Sequence, residues 1–258
     1  MRAEPDSFVV LFPVSWSTDN LEALRQVHGE QWQEKTQWTL DPVDDGPAGV
    51  EAAGEITGPD GKSADLIVEG AIEEITEAAG TAKERLTPSE LSMLENHQAV
   101  WRVTVEGGLE EGLERAVWMT QLMNTFCEAG AAGAFLPACL QLHSPSFVQN
   151  QAMGIGHIQP MVNLFVSAWD EEDWMMTRGL TAFGLPELET PVDEGLNASY
   201  FRLMDAAAGM LNQRDTYPLG ADLEIGHESF EIEEGRQGPD DQNVPIAGHF
   251  GVLSIVSK

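Results

Sequence analysis

The sequence predicts an α+β fold: a mostly antiparallel sheet in a ferredoxin-like, split βαβ arrangement, with helices packed on one face. Three observations lead there. From Gln98 onward the elements read strand, helix, strand, strand or hairpin, helix, strand, which is the split βαβ order. Residues 8–40 read as a further strand–helix–strand that extends the same sheet or forms a similar unit. At 258 residues and 42% hydrophobic content, the chain is long enough and apolar enough to bury a core without staples. The expected division is residues 1–80, an N-terminal α/β region on the same core, and 87–258, the ferredoxin-like domain, with any boundary near 78–87.

Phe8 to Val14 is continuous, β-branched and aromatic, the pattern of a buried strand. A helix is expected from Asn20 to His28, capped by Asp19 with Glu22 at capping-box spacing. Leu21, Leu24 and Val27 form its stripe, and Gly29 stops it. Thr36 to Leu40 follows as a strand. Val50 to Thr57 and Ala64 to Glu69 pair through Gly58-Pro59-Asp60-Gly61, where Pro presets φ and Gly accepts φ > 0.

Thr87-Pro88-Ser89-Glu90 is the clearest helix start: a Thr cap, Pro at the first helical position and Glu at the third. That helix is short, ending near Asn96, and Gln98 to Val105 is a strand broken by Gly107-Gly108. A long helix runs from Leu109 to Glu128, with Leu109, Leu113, Ala116, Val117, Thr120, Met123 and Cys127 as its stripe. Gly130 ends it and Ala134-Phe135-Leu136 starts a strand. Ser146 to Met153 reads as a helix or an irregular turn, and Met161 to Ala168 as a strand. Asp170–Asp173 separates that strand from another at Trp174–Thr177. Asn197 caps a helix to Asn212, with Tyr200, Leu203, Met204, Ala207, Ala208 and Leu211 on its inner side. Phe230–Glu234 and Phe250–Val256 are the closing strands.

The charge balance limits the partners. Against 13 basic residues stand 43 acidic ones, a formal net charge of −30. The acidity is spread, with 25 acids and 8 bases in residues 1–128 and 18 and 5 in 129–258, so it is no acidic tail. Such a surface repels nucleic-acid phosphates and anionic lipid, and it steers in a basic protein partner. Solubility or salt adaptation is the simpler use of the same charge. The expectation is therefore no nucleic acid, no membrane and, if anything, a basic protein. Oligomeric state is open. Residues Met1 to Asp6 are polar, no apolar run spans a bilayer, and Cys127 and Cys139 are too few for a zinc framework, which favours a cytoplasmic protein with reduced thiols.

Motifs of known chemistry fail one by one. Gly61-Lys62-Ser63 lacks the upstream glycine of a phosphate loop, since Ile56 holds that position. Gly154-Ile155-Gly156 has Gln159 in the third glycine position of a dinucleotide fingerprint. Asp170–Asp173 lacks the spacing of a calcium loop and reads as a solvated turn. His143-Ser144 has no visible third partner for acylation, and turn capping explains the histidine as well. Trp169, Trp174, Met175 and Met176 read as core. No cofactor, metal or catalytic residue is assigned.

Met176 to Thr190 is the segment least explained by periodicity, holding Arg178, Gly179, Gly184, Pro186, Glu187 and Glu189. Gly179 and Gly184 suggest a tight reversal after a strand. Pro186 is expected to open a short helical turn with Glu187 near its positive end. Arg178 either pairs with a glutamate to lock this loop or grips an anionic ligand, with His143, Glu187 and Glu189 as the other candidate ligand-binding residues.

The run Thr177-Arg178-Gly179-Leu180-Thr181-Ala182-Phe183-Gly184-Leu185-Pro186-Glu187-Leu188-Glu189 resembles the signature of an uncharacterised bacterial family, domain of unknown function 4261. Asp215-Thr216-Tyr217-Pro218-Leu219-Gly220, Ala134–Pro137 and His143-Ser144-Pro145 are similar to further features of that family. The resemblance covers roughly residues 95–258, and the N-terminal third more loosely. The chain departs from it at Leu136-Pro137, where members tend to be aromatic, and in a longer C-terminal loop. It implies a shape and carries over no catalytic residue. A non-catalytic binding or interaction protein is the expected function. A small-molecule-binding protein or enzyme around Arg178 and His143 is the alternative.

Overall fold

A computed structural model describes residues 7–44, 47, 49–71, 86–105, 112–236 and 251–258. The fold is α+β and its sheets are mostly antiparallel. The chain forms two compact units, one of residues 1–108 with 114–155 and one of residues 109–113 with 156–258. Strands from both sides of 78–87 pair in one sheet, so the units part elsewhere than the sequence suggests.

The first unit holds β1 (Ser7–Phe12), β2 (Gln37–Pro42), β3 (Val50–Thr57), β4 (Ser63–Gly70), β5 (Ala99–Val105), β6 (Gly133–Leu136) and β7 (Gln141–His143). They form a seven-stranded sheet in the order β2-β3-β4-β5-β1-β6-β7. Its helices are α1 (Thr18–Trp32), α2 (Pro88–Glu95), α3 (Gly112–Glu128) and α4 (Pro145–Ala152). The capping box at Thr87 and Glu90 forms as its spacing predicts, and Gly58–Gly61 makes the β3–β4 turn. The break at Gly107-Gly108 and the start at Leu109 lie outside the described residues.

Strand β1 is buried on both faces, which is why it reads as a continuous apolar run. On one face Phe8, Phe12, Trp38 and Trp101 surround Phe126 of α3, with ring centroids 5.7 to 6.1 Å from it. On the other, Val9, Leu11, Val100, Phe135 and Leu142 pack with Leu94 and Leu91 of α2. Helices thus cover both faces of this sheet, a correction to the one-faced arrangement.

Helix α3 buries far more than one stripe, including Trp118, Met119, Leu122 and Phe126. Helix α1 is longer than its sequence signals imply. Ser17 caps it rather than Asp19, and it runs through Gly29 to Gln33 at φ 54. An exposed glycine there costs about 1 kcal/mol against alanine, which a helix anchored by buried His28 tolerates. Cys127 and Cys139 are both free and buried in this unit. Burial and the neighbouring Glu128 push the Cys127 thiol up to about 12.

The second unit holds β8 (Ser167–Glu171), β9 (Trp174–Arg178), β10 (Glu187–Pro191), β11 (Asp222–Ile225), β12 (Glu228–Glu234) and β13 (Val252–Ser257), in the order β11-β12-β13-β10-β9-β8. Among the described residues, β10 and β13 are the only strands that pair in parallel. Both sheets are larger than the four-stranded split βαβ unit, and the elements from Gln98 onward are divided between them.

Residues 161–168, expected as a strand, are mostly helical. Helix α5 (Ile158–Phe165) buries Met161, Val162, Leu164 and Phe165 and exposes Asn163. That is helical spacing, and a short apolar run leaves the two periods indistinguishable in sequence. Helix α6 (Leu196–Gln213) begins at Gly195 without a side-chain cap, so Asn197 is inside it. Its inner side is Leu203, Ala206, Ala207, Met210 and Leu211, joined by Arg202, while Tyr200 is exposed.

Candidate functional site

Strands alternate their side chains between two faces, and the second sheet uses this to separate chemistry from packing. On β10, Leu188 and Thr190 face α6, where Thr190 accepts a hydrogen bond from Arg202 at 2.9 Å. Glu187 and Glu189 point to the opposite face. The register puts Trp174 and Met176 of β9, Trp169 of β8 and Ser254 of β13 on that same face. Arg178 of β9 belongs to it as well.

The loop between β9 and β10 turns at Gly179 (φ 114), makes a short 3-10 turn over Leu180–Phe183, and turns again at Gly184 (φ 74). Both glycines adopt backbone that a side chain disfavours. Pro186 does not open the helical turn; it precedes β10, and the turn lies before it. Glu187 nonetheless sits at that turn's start. Its Oε1 accepts from the N–H groups of Gly179 at 2.8 Å and Thr181 at 3.3 Å, and its Oε2 from the Thr177 hydroxyl at 2.8 Å. Burial pushes the Glu187 carboxyl up, and the Thr177, Gly179, Thr181 and Leu180 hydrogen bonds oppose it. The loop is tied by a carboxylate to its own backbone, and both Glu187 oxygens are engaged in holding it.

Glu189 is fully buried. Its Oε1 accepts from the Ser254 hydroxyl at 2.5 Å and the Arg236 N–H at 2.7 Å, and the Arg236 Nε lies 3.6 Å away. Its Oε2 has no hydrogen-bond partner among the described residues. The Arg236 guanidinium lies 3.7 Å from the centre of the Trp174 ring. Arg178 stacks 4.9 Å from the Trp169 ring centre. On the helix face Arg202 lies 4.3 Å from the Phe230 ring centre and also meets Asp193 and Glu194. Three of the five bases beyond residue 129 therefore rest on aromatic rings, an arrangement that favours a weakly hydrated guanidinium over an ammonium.

Of the four residues singled out in sequence, Arg178, Glu187 and Glu189 share one face of one sheet. His143 belongs to the first unit, at the end of β7, where its ring stacks on Phe147 with centroids 4.9 Å apart. Ser144 is the residue that caps α4, accepting from the Phe147 N–H. Sequence reasoning passed over Arg202, Ser254 and Arg236. Arg202 carried a signal, since it sits at helical spacing between Ser199 and Ala206, both buried. Ser254 and Arg236 carried none, because they reach Glu189 through pairing across 65 and 47 residues of chain.

The acids continue along the same face onto β11 and β12. Asp222, Glu224, Glu231 and Glu233 line it, with Asp222 directly opposite Glu231. Lys258 at the end of the chain reaches Asp222, and that hydrogen bond raises the lysine pKa. Asp170 and Glu171 end β8, and Glu172-Asp173 form the two-residue β8–β9 turn, with Glu172 at φ 56. Among the described residues no group of three or more His, Cys, Asp or Glu could hold a metal ion, and no helix is long and apolar enough to cross a membrane.

No family model, no curated protein and no solved structure matches the chain.

Proposed function

We propose that this chain is a non-catalytic, cytoplasmic binding protein whose acidic face receives a basic protein partner. The observation that carries this is the β11–β12 ribbon. Like charges directly opposite each other cost a sheet stability, by about 0.2–1 kcal/mol per pair, yet Asp222 faces Glu231 with Glu224 and Glu233 alongside. A cationic partner relieves that repulsion on binding, as Lys258 already does in part at Asp222. Three of the unit's arginines, Arg178, Arg202 and Arg236, are stacked on aromatic rings rather than paired with the ribbon acids. Glu187 and Glu189 are held by the fold's own donors, which favours a structural role for them over one in an anionic-ligand site with Arg178 and His143. The resemblance in residues 177–189 implies a shape and carries over no chemistry.

Titration with a short oligolysine tests this. Binding should be measurable at low ionic strength, weaken as salt is added because exposed charges are screened, and weaken further in Glu231→Gln/Glu233→Gln. Absence of binding at low salt overturns the proposal.

A further inference from the structure

The second unit also exposes an apolar surface at the start of α6. Leu196 is 50% exposed, Tyr200 41% and Phe201 64%. Leu196 and Tyr200 are one helical turn apart, and the Tyr200 and Phe201 rings meet edge to face at 5.7 Å. Other large exposed apolar side chains, such as Val14, Met93, Leu140 and Met153, are spread singly over other elements. Scattered apolar residues need no explanation, but a contiguous aromatic group rimmed by polar residues marks an interaction site.

The rim here is acidic and fixed. Asp193 and Glu194 precede the helix, and Asp205 lies one turn beyond Phe201. Arg202, buried and next to Phe201 in the helix, bonds Asp193 at 3.4 Å and Glu194 at 3.2 Å while anchored on Thr190 and the Phe230 ring. Ser257 donates to the other Asp193 oxygen at 3.3 Å. One cation against three carboxylates leaves the rim negative, and Asp193 and Glu194 are held in place before any partner arrives, which lowers the cost of binding.

We infer that Leu196, Tyr200 and Phe201 form the anchor site for a basic polypeptide segment, one presenting an apolar side chain flanked by Lys or Arg. The charge selects that occupant. A second copy of this chain, also at −30, would bring acids to acids. A cationic segment gains the rim carboxylates and buries the rings, and Tyr is among the residues that dominate such contacts. The inference rests on the proposed function and adds to it a second acidic site with an apolar component, on the helix side of the sheet and across it from the β11–β12 ribbon.

Two fluorescent peptides of equal charge separate the two claims, one alternating Lys with Leu and one alternating Lys with Ser. The wild-type chain should bind the Lys/Leu peptide about tenfold more tightly, a difference of about 1.4 kcal/mol. Tyr200→Ser/Phe201→Ser should remove that advantage and leave Lys/Ser binding unchanged. Met153→Ser, at an exposed methionine of the first unit, should change neither, and circular dichroism confirms that each variant is folded. If Tyr200→Ser/Phe201→Ser keeps the Lys/Leu advantage, or Met153→Ser loses it too, the anchor site is wrong while the acidic-face proposal stands. If neither peptide binds at low salt, both fall. A dimer in sedimentation that Phe201→Ser dissolves gives the surface to a second copy and overturns the inference.

Discussion

Phe126 and Glu187 occupy comparable places in the two units, each a buried side chain on which its neighbours converge, and they could hardly differ more. Around Phe126 lie four aromatic rings. Around Glu187 lie a hydroxyl and backbone N–H groups aimed at a carboxylate. The first sheet is held by non-directional burial, which tolerates repacking but not loss of volume. The second adds directional bonds to buried charge, costly to assemble and more costly to leave half made. The first unit keeps His28 neutral: it is fully buried, and burial lowers its pKa to about 4. Its Nδ1 lies 2.9 Å from the Thr125 hydroxyl. That hydroxyl's proton goes to the Gln121 carbonyl, so Nδ1 is the donor.

Substitution and pH should separate these two modes. The largest effect is expected from Phe126→Ala, a loss of about 3–5 kcal/mol, seen by native-state hydrogen exchange as deprotection of β1 and β5 while β9 and β10 keep their protection. Equal deprotection of both sheets would mean that the units do not open separately.

Acid should come next. Between the ordinary histidine value of 6.5 and about 4, the unfolded chain takes a proton that buried His28 refuses, so stability falls through that window and levels off below it. The loss is on the order of 3 kcal/mol, and His28→Gln should flatten it. Glu187 has the opposite sign. Its carboxyl is raised from 4.5, so its contribution is fully present below that value and declines as pH rises through the native pKa. Glu187→Gln should remove that slope from the exchange of β9 and β10 alone.

At neutral pH, Thr177→Val should cost about 1–3 kcal/mol. The Leu188 N–H loses its acceptor and Glu187 Oε2 loses its donor, and exchange at Leu188 should report it. The smallest effect is expected at Thr87→Ala, about 1 kcal/mol from loss of the α2 cap, read as a small drop in the thermal midpoint.

How much of this was legible in sequence follows from the range of the interactions. The capping box at Thr87 and Glu90, the hairpin at Gly58–Gly61 and the all-apolar β1 are written in neighbouring residues, and each forms as its local chemistry requires. The helix at Ile158–Phe165 was lost because four apolar residues in five satisfy either period. Strand β10 was missed for a different reason. Glu-Leu-Glu-Thr looks like an exposed strand or a turn, and nothing nearby reveals that its acids are buried. The donors that permit it come from the β9–β10 loop, from β13 and from Arg236. The candidate site was half visible: the segment 176–190 stood out, but its internal tie through Glu187 depends on folded geometry.

Both cysteines of the chain lie in the first unit, buried, with Cys127 held as a protonated thiol near neutral pH. A thiol reagent attacks the thiolate, so the native molecule should be almost inert to it and react only when the first unit opens. The chain thus carries a chemical clock for one of its halves. The rate at which label is taken up times the opening of the aromatic core and is blind to the polar sheet, with no probe engineered into either.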